Sequence, residues 1–295
     1  DILMPGILGS RSDFGRRYIG KVDSVISTEA LEQLEKIIKP LILRRTKAAV
    51  APELPLREEL FIYAEASQLQ VNFYESLRIQ LAEEVEKSIR ERGFGASGMT
   101  ILTALLRLRQ AAILPALVDR SMENIPAAKL DLLLDKLIEV AGEGNKALVF
   151  SQFTSVLDEI EERMSSENMP NFRFDGSTPV NLRQKEINSF QALQGPAIFL
   201  ISLKAGGLGI NLTSADYVFL TDPWWNPAVE SQAIDRAHRI GRRNTVFAYR
   251  LICRGTIEEK IIRLQEKKKR LVKNLIHSDN GLLQNLNADD VKELF

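Results

Sequence analysis

The sequence predicts an α/β fold built on a doubly wound parallel sheet, and three features predict it. From Lys129 onward short apolar runs alternate with helical patterns, the order that strand–helix–strand units impose. Runs such as Ala147 to Phe150 and Ala197 to Ser202 lack alternating polar positions, as expected of strands covered on both faces. Between the runs fall Thr178-Pro179 and Asn226-Pro227, each setting a capping side chain before a first-turn proline. With 295 residues and 45% hydrophobic content, the chain can bury a full core.

In chain order, residues 1 to about 60 are broken by Gly6, Gly9, Gly15, Gly20, Pro40, Pro52 and Pro55, and read as a connector with a short helical stretch at Glu29 to Ile38. Leu69, Phe73, Leu77, Leu81, Val85 and Ile89 recur every four positions, so Ser67 to Arg92 reads as a long amphipathic helix. The glycine-rich break at Gly93 to Gly98 ends it. Ile101 to Leu117 then makes the second arm of a helical hairpin, an insertion over 61–128. Strands are expected at Ala147 to Phe150, Phe172 to Phe174, Ala197 to Ser202, Tyr217 to Leu220 and Val246 to Ile252, within a lobe over 129–253. The proline-opened helices should run to about Phe190 and to just before Gly241. Over 254–295, Thr256 and Glu259 form a capping box, and Ile257, Ile261, Leu264, Leu271 and Leu275 give a C-terminal helix one apolar face that packs back on the lobe.

Composition narrows the function classes. Lys plus Arg equals Asp plus Glu at 39 each, so net charge points to no polyanionic partner. Locally the balance shifts: from Arg236 to Lys273 there are thirteen Lys and Arg against three Glu, a footprint for a phosphate backbone or a solubilising helix face. One cysteine, Cys253, excludes an internal disulfide, suits a reducing compartment, and with only His238 and His277 beside it proposes no metal site. The longest apolar runs fall far short of the roughly 20 residues of a membrane-spanning helix, so no membrane partner is expected. The start at Asp1 falls in mid-pattern and reads as a boundary inside a longer protein.

Open parallel sheets bind ligands beyond the carboxyl ends of their strands, which puts three loops forward. Ser202 to Asn211 carries Gly206, Gly207 and Gly209, which free backbone N–H groups for a phosphate or ribose, though a tight turn would use glycines too. Gln232, Arg236 and Arg239, at offsets of four and three, would share one helical face. Two guanidiniums placed so can neutralise charge developing on a transferring phosphate, or merely line a solvated basic face. Asp222-Pro-Trp-Trp-Asn-Pro227 sets both tryptophans in a rim loop; Trp224 is expected to anchor the core and Trp225 to meet a partner. A sugar-phosphate enzyme would need a general acid or base there, and His238 is the only histidine at hand.

Together these segments resemble the C-terminal half of the SWI/SNF family of helicase-like proteins, across nearly the whole chain. Asp1 to Ser10 resembles the tail of that family's first lobe, and Pro40 to Lys47 (PLILRRTK) its inter-lobe element. Ala147 to Phe153 (ALVFSQF), Ser202 to Leu212 (SLKAGGLGINL) and Gln232 to Gly241 (QAIDRAHRIG) resemble helicase motifs IV, V and VI. The resemblance implies a RecA-like lobe, the fold of phosphate-loop nucleotidases without a phosphate loop of its own. It implies ATP with Mg²⁺ held mainly by a first RecA-like lobe, and double-stranded DNA gripped alternately by the two lobes as they close and reopen. By it, Arg236 and Arg239 reach ATP across the cleft, and Gln232, Gly207, Gly209 and Asn211 line its edge. Ser151, Gln152, Ser202, Lys204 and Gly206 face DNA phosphates, Trp225 matches a groove-contacting tryptophan, and the hairpin is a protrusion of lobe two. Such a protein sits at the nucleoid in a bacterium or in the nucleus of a eukaryote.

Two departures stand out. Ala112 to Pro115 replaces a Cys-x-His-Pro or Cys-His-Pro type ending of the hairpin, and Arg242 stands where the family has Gln. No Gly-x-x-x-x-Gly-Lys-Ser/Thr run occurs, so the phosphate loop is expected on the first lobe and this piece alone is expected to be inactive. The competing reading is a non-catalytic RecA-like module whose arginines only bind DNA.

Overall fold

A computed structural model describes residues 6–18, 33–34, 36–41, 51, 54–203, 205, 210–239, 242, 244–271 and 288–295, with backbone alone for 11, 18 and 267–271. The chain divides into two compact units, 1–53 and 54–295. Among its described residues the first carries a helix, α1 (Arg11–Tyr18), helical backbone at 33–34 and 36–38, and a 3₁₀ turn at Lys39–Leu41.

The second unit is built on six parallel strands: β1 (Arg57–Ala64), β2 (Lys146–Ser151), β3 (Asn171–Phe174), β4 (Ala197–Ser202), β5 (Tyr217–Leu220) and β6 (Val246–Cys253), in the order β1-β6-β5-β2-β4-β3. Five coincide with the expected runs. The sixth, β1, opens on Arg57-Glu58-Glu59, which hides its strand character, and pairs all eight residues with β6, from Arg57 opposite Val246 to Ala64 opposite Cys253. Only a partner 189 residues away makes this segment a strand.

The central strands feed two cores by simple alternation. Leu148 and Phe150 of β2, with Phe199 and Ile201 of β4, pack on one face, beside Phe190. Ala147 and Val149, with Ile198 and Leu200, pack on the other, beneath Leu137 and Ile160. Each large side chain so buried contributes about 1.5–3 kcal/mol. The first face is covered by α6 (Val180–Ala192) and α7 (Pro227–Ile234), the second by α4 (Ala128–Gly142) and α5 (Thr154–Ser166), which is the doubly wound arrangement.

The hairpin is α2 (Gln68–Arg92), whose Ser67 hydroxyl caps it by accepting from Gln70 N at 3.2 Å, and α3 (Gly98–Ile113). It stops short of Leu117 because Leu114, preceding Pro115, is extended at φ −150°, ψ 105°. Leu81, Leu105 and Leu108 of the hairpin share a third core with Ile257, Ile261 and Leu264 of α8 (Ile257–Leu271), and with Val291 of α9 (Ala288–Leu294). Leu275 lies outside the described residues and the side chain of Leu271 is not described. The capping box is offset by one: Thr256 Oγ1 accepts from Glu258 N, and Glu259 accepts from Gly255 N. Thr178 is likewise not a helix cap. Pro179 takes that position, and Thr178 Oγ1 instead accepts from Asp175 N at 3.0 Å, shaping the turn after β3.

Candidate functional site

The chain leaves β2 toward β3 and β4 on one side and returns to β5 and β6 on the other, so the sheet switches direction at the carboxyl ends of β2 and β5. Ser151 lies opposite Ser202, and Phe150 opposite Leu220, so the residues following all three strands share one rim. At its centre is Asp222, fully buried, whose carboxylate accepts from Ser151 Oγ (2.9 Å), Thr221 Oγ1 (2.6 Å) and Gln152 N (3.3 Å).

Arg109 of α3 faces that carboxylate at 3.6 Å and donates to Pro223 O (2.6 Å) and Gln152 Oε1 (2.9 Å). Burial pulls its guanidinium downward, and the negative fields of Asp222, Glu258 and Glu230 oppose that. The same guanidinium lies 5.5 Å from the Trp225 ring centroid and 5.8 Å from that of Phe153. The hairpin is thus bolted to the rim through one buried cation.

This network revises several expected roles. Trp225 is only 8% exposed and belongs to the hairpin core under Arg109, so it is not free to meet a partner, while Trp224, partly buried, packs against the first core as expected. The reason is the buried guanidinium, which supplies an aromatic-binding cation that hydrophobicity does not reveal. Ser151 and Ser202 are buried, and the Ser151 hydroxyl is spent on Asp222, so neither hydroxyl stands at the surface to meet a phosphate. Gln152 is half-buried; Arg109 holds its Oε1, and its Nε2 has no hydrogen-bond partner. Asn211 is exposed, its carbonyl accepting from Gln191 Nε2. Lys204, Gly206, Gly207 and Gly209 lie outside the described residues.

The two arginines are not on one helix. α7 begins as expected, with the Asn226 side chain accepting from Ala228 N and Pro227 in the first turn, and it carries Gln232 exposed, but it stops at Ile234. Helical continuation would need the Arg236 carbonyl to accept from residue 240. That carbonyl accepts instead from Leu212 N at 3.0 Å, which ties the loop after β4 to a turn carrying Arg236 and Arg239. Arg236 is 7% exposed, its Nε has no hydrogen-bond partner, and no ion pair reaches it among the described residues. Burial lowers its pKa, the like charge of Arg239 lowers it further, and Asp235 opposes both. A buried, under-satisfied cation beside a second cation is chemistry that an anion would satisfy.

Among the described side chains of the basic stretch after Arg236, four arginines have acidic partners. Arg242, buried, pairs with Asp216 and donates to Thr213 O (2.6 Å) and Asn244 O (2.9 Å), so the departure at this position braces the loop before β5. Arg250 pairs with Glu230 and Glu59, Arg254 with Glu65 and Arg263 with Glu259. A count along the sequence does not separate these paired guanidiniums from the others. Sequence reasoning missed Arg109, although an arginine amid Leu105, Leu108 and Ala112 on a buried helical stripe is a signal that it has an acid to meet.

Comparison with known proteins gives two family matches: the SNF2-related domain over residues 1–117 and the helicase conserved C-terminal domain over 128–241. A Mycoplasma pneumoniae protein named "Uncharacterized ATP-dependent helicase" is 35% identical over the whole chain, which covers 28% of it. The human SWI/SNF-related matrix-associated actin-dependent regulator of chromatin subfamily A member 1 is 35% identical over 92% of the chain, which covers 26% of that relative. The chain thus spans little more than a quarter of these relatives. The Sulfolobus solfataricus SWI2/SNF2 ATPase C-terminal domain matches with TM-score 0.64 and 28% identity, over 81% of this chain and 97% of that one. The SWI2/SNF2 ATPase core of the same organism in complex with dsDNA matches with TM-score 0.66 and 30% identity, over 98% and 61%. With its sheet matching that lobe and both family models aligned along it, the chain belongs to the SWI/SNF family of helicase-like proteins, as its C-terminal RecA-like lobe.

Proposed function

We propose that this lobe is the second half of an ATP-driven motor that moves along double-stranded DNA, supplying arginines to ATP held by a first lobe and backbone contacts to the duplex. The observation that carries the reading is Arg236: a cation taken out of water at the carboxyl rim, its Nε unpartnered, with Arg239 on the same turn. Leaving such a group unsatisfied costs about 1–3 kcal/mol or more, a cost that a polyphosphate arriving from another lobe would offset. ATP with Mg²⁺ is the substrate in this reading, and the arginines neutralise charge developing on the γ-phosphate.

The rim offers the DNA side. Gln152, its Oε1 held by Arg109, stands at this rim with its Nε2 buried and unpartnered, and that amide would have to turn outward to reach a phosphate oxygen. Lys204 and Gly206 are assigned to the same role by their motif. Ser151, Ser202 and Trp225 act one layer below, fixing the rim through Asp222 and Arg109 rather than touching the duplex. The name of the dsDNA-bound Sulfolobus core supports a duplex as the partner.

The test is Arg236→Ala and Arg239→Ala in the full-length protein, with DNA-stimulated phosphate release and duplex affinity measured side by side. Turnover should fall by about 10³-fold or more with DNA affinity nearly unchanged. Loss of DNA affinity with turnover intact would instead indicate a non-catalytic DNA-binding module.

A further inference from the structure

We propose that Arg57 is a positioning residue for the arginine turn, so that the segment leading into β1 sets the geometry in which Arg236 meets its phosphate. The proposal rests on the nucleotide role assigned above to Arg236. Asp235, immediately before Arg236, accepts from Arg57 Nη1 at 3.0 Å across 178 positions of sequence. Two residues after Arg236, the imidazole Nε2–H of His238 donates to the Pro55 carbonyl at 2.9 Å. Residues 55–57 therefore grip the turn on both sides of Arg236, while Leu212 N holds its carbonyl. Backbone is fixed from three directions, and the guanidinium keeps its Nε without a hydrogen-bond partner.

Beyond Ile234, where α7 ends, the turn keeps short-range bonds of its own, from Arg236 N to Ala233 O (3.1 Å), Ala237 N to Ile234 O (3.1 Å) and His238 N to Ile234 O (3.2 Å). The clamp adds long-range tethers to these local bonds. It is itself anchored: Arg57 also pairs with Glu59, Glu59 with Arg250 at 2.5 Å, and Arg250 with Glu230 of α7 at 2.8 Å. This chain of alternating charge runs from the turn across β1 and β6 and back to the helix that precedes the turn. A lone half-exposed ion pair contributes little to stability, so its consequence here is geometric.

The experiment uses the full-length protein and compares Arg57→Ala, Asp235→Asn, their double variant and Arg57→Lys, with Arg236→Ala as reference. A displacement of about 1 Å can cost a hundredfold in rate, and loosening one of three tethers should lower kcat roughly tenfold. The KM for ATP should stay within about twofold, and duplex affinity by fluorescence anisotropy should not move. The double variant should be no worse than Arg57→Ala, because both remove one contact. Arg57→Lys, which keeps a cation within reach of Asp235, should retain most of the turnover. Wild-type kcat in Arg57→Ala, a rise in KM alone, or multiplicative losses in the double variant would overturn the clamp. If Arg57→Ala yields no folded protein, Asp235→Asn, nearly isosteric and partly exposed, carries the same test. Normal turnover in Arg236→Ala would sink the underlying role instead, whereas a crippled Arg236→Ala beside an unaffected Arg57→Ala sinks the clamp alone.

Discussion

Asp222 and Arg109 show what one buried pair does at the scale of a residue. Each alone would be a charge in a medium that does not solvate it, and together with the Ser151, Thr221 and Gln152 donors they make a network joining hairpin to sheet, in which the carboxylate is satisfied while Arg109 Nε has no hydrogen-bond partner. Arg109→Ala should cost about 3–5 kcal/mol, read as a lower urea midpoint, since it strands the Asp222 carboxylate beneath Trp225. A cost under about 1 kcal/mol would mean that the carboxylate is content with its three neutral donors. Sequence identified Arg236 and Arg239 as candidates because guanidiniums near a glycine-rich loop suit phosphate. It erred on Trp225, because burial of an aromatic ring depends on which cation folds over it, and Arg109 is 116 positions away.

Elements are set by short-range pattern and trimmed by long-range contacts. The hairpin helices, the proline-opened helices, α8 and five strands followed from apolar spacing and proline position, whereas α1 falls in a stretch read as connector, the end of α7 is marked by the Leu212 bond and the existence of β1 followed from β6. The turn after β3 is a third case, held by Asp175, which accepts from Ser177 N (2.8 Å), Ser177 Oγ (2.6 Å) and Arg173 Nε (2.7 Å). Burial pushes this carboxyl up, but the Ser177 and Arg173 bonds outweigh it and hold the group below its ordinary 3.8. A depressed carboxyl pKa gives stability that is complete above the unfolded value and lost as pH falls through the folded one. Asp175→Asn should therefore flatten the acid limb below about pH 4 in a plot of stability against pH. An unchanged acid limb would remove Asp175 from the account of that turn.

For the whole molecule, the expectation follows from which groups each lobe owns. If the lobe works as proposed, supplying arginines and a DNA-facing rim, then with no phosphate loop in its sequence it should release no phosphate above background when residues 54–295 are mixed with ATP and duplex DNA. Turnover by this lobe alone at the rate of the full-length protein would refute the division of labour. By itself the sequence determined the alternating α/β order, the doubly wound class, the hairpin and the family, because hydrophobic period and turn chemistry are local and survive without neighbours. Tertiary structure alone decided that β1 joins the sheet, that Trp225 is inside, that Arg242 and Arg250 meet distant carboxylates and that Arg236 sits on a turn beyond the end of α7. Those outcomes depend on desolvated charges finding partners far along the chain, and no spacing rule encodes where a distant carboxylate will come to rest.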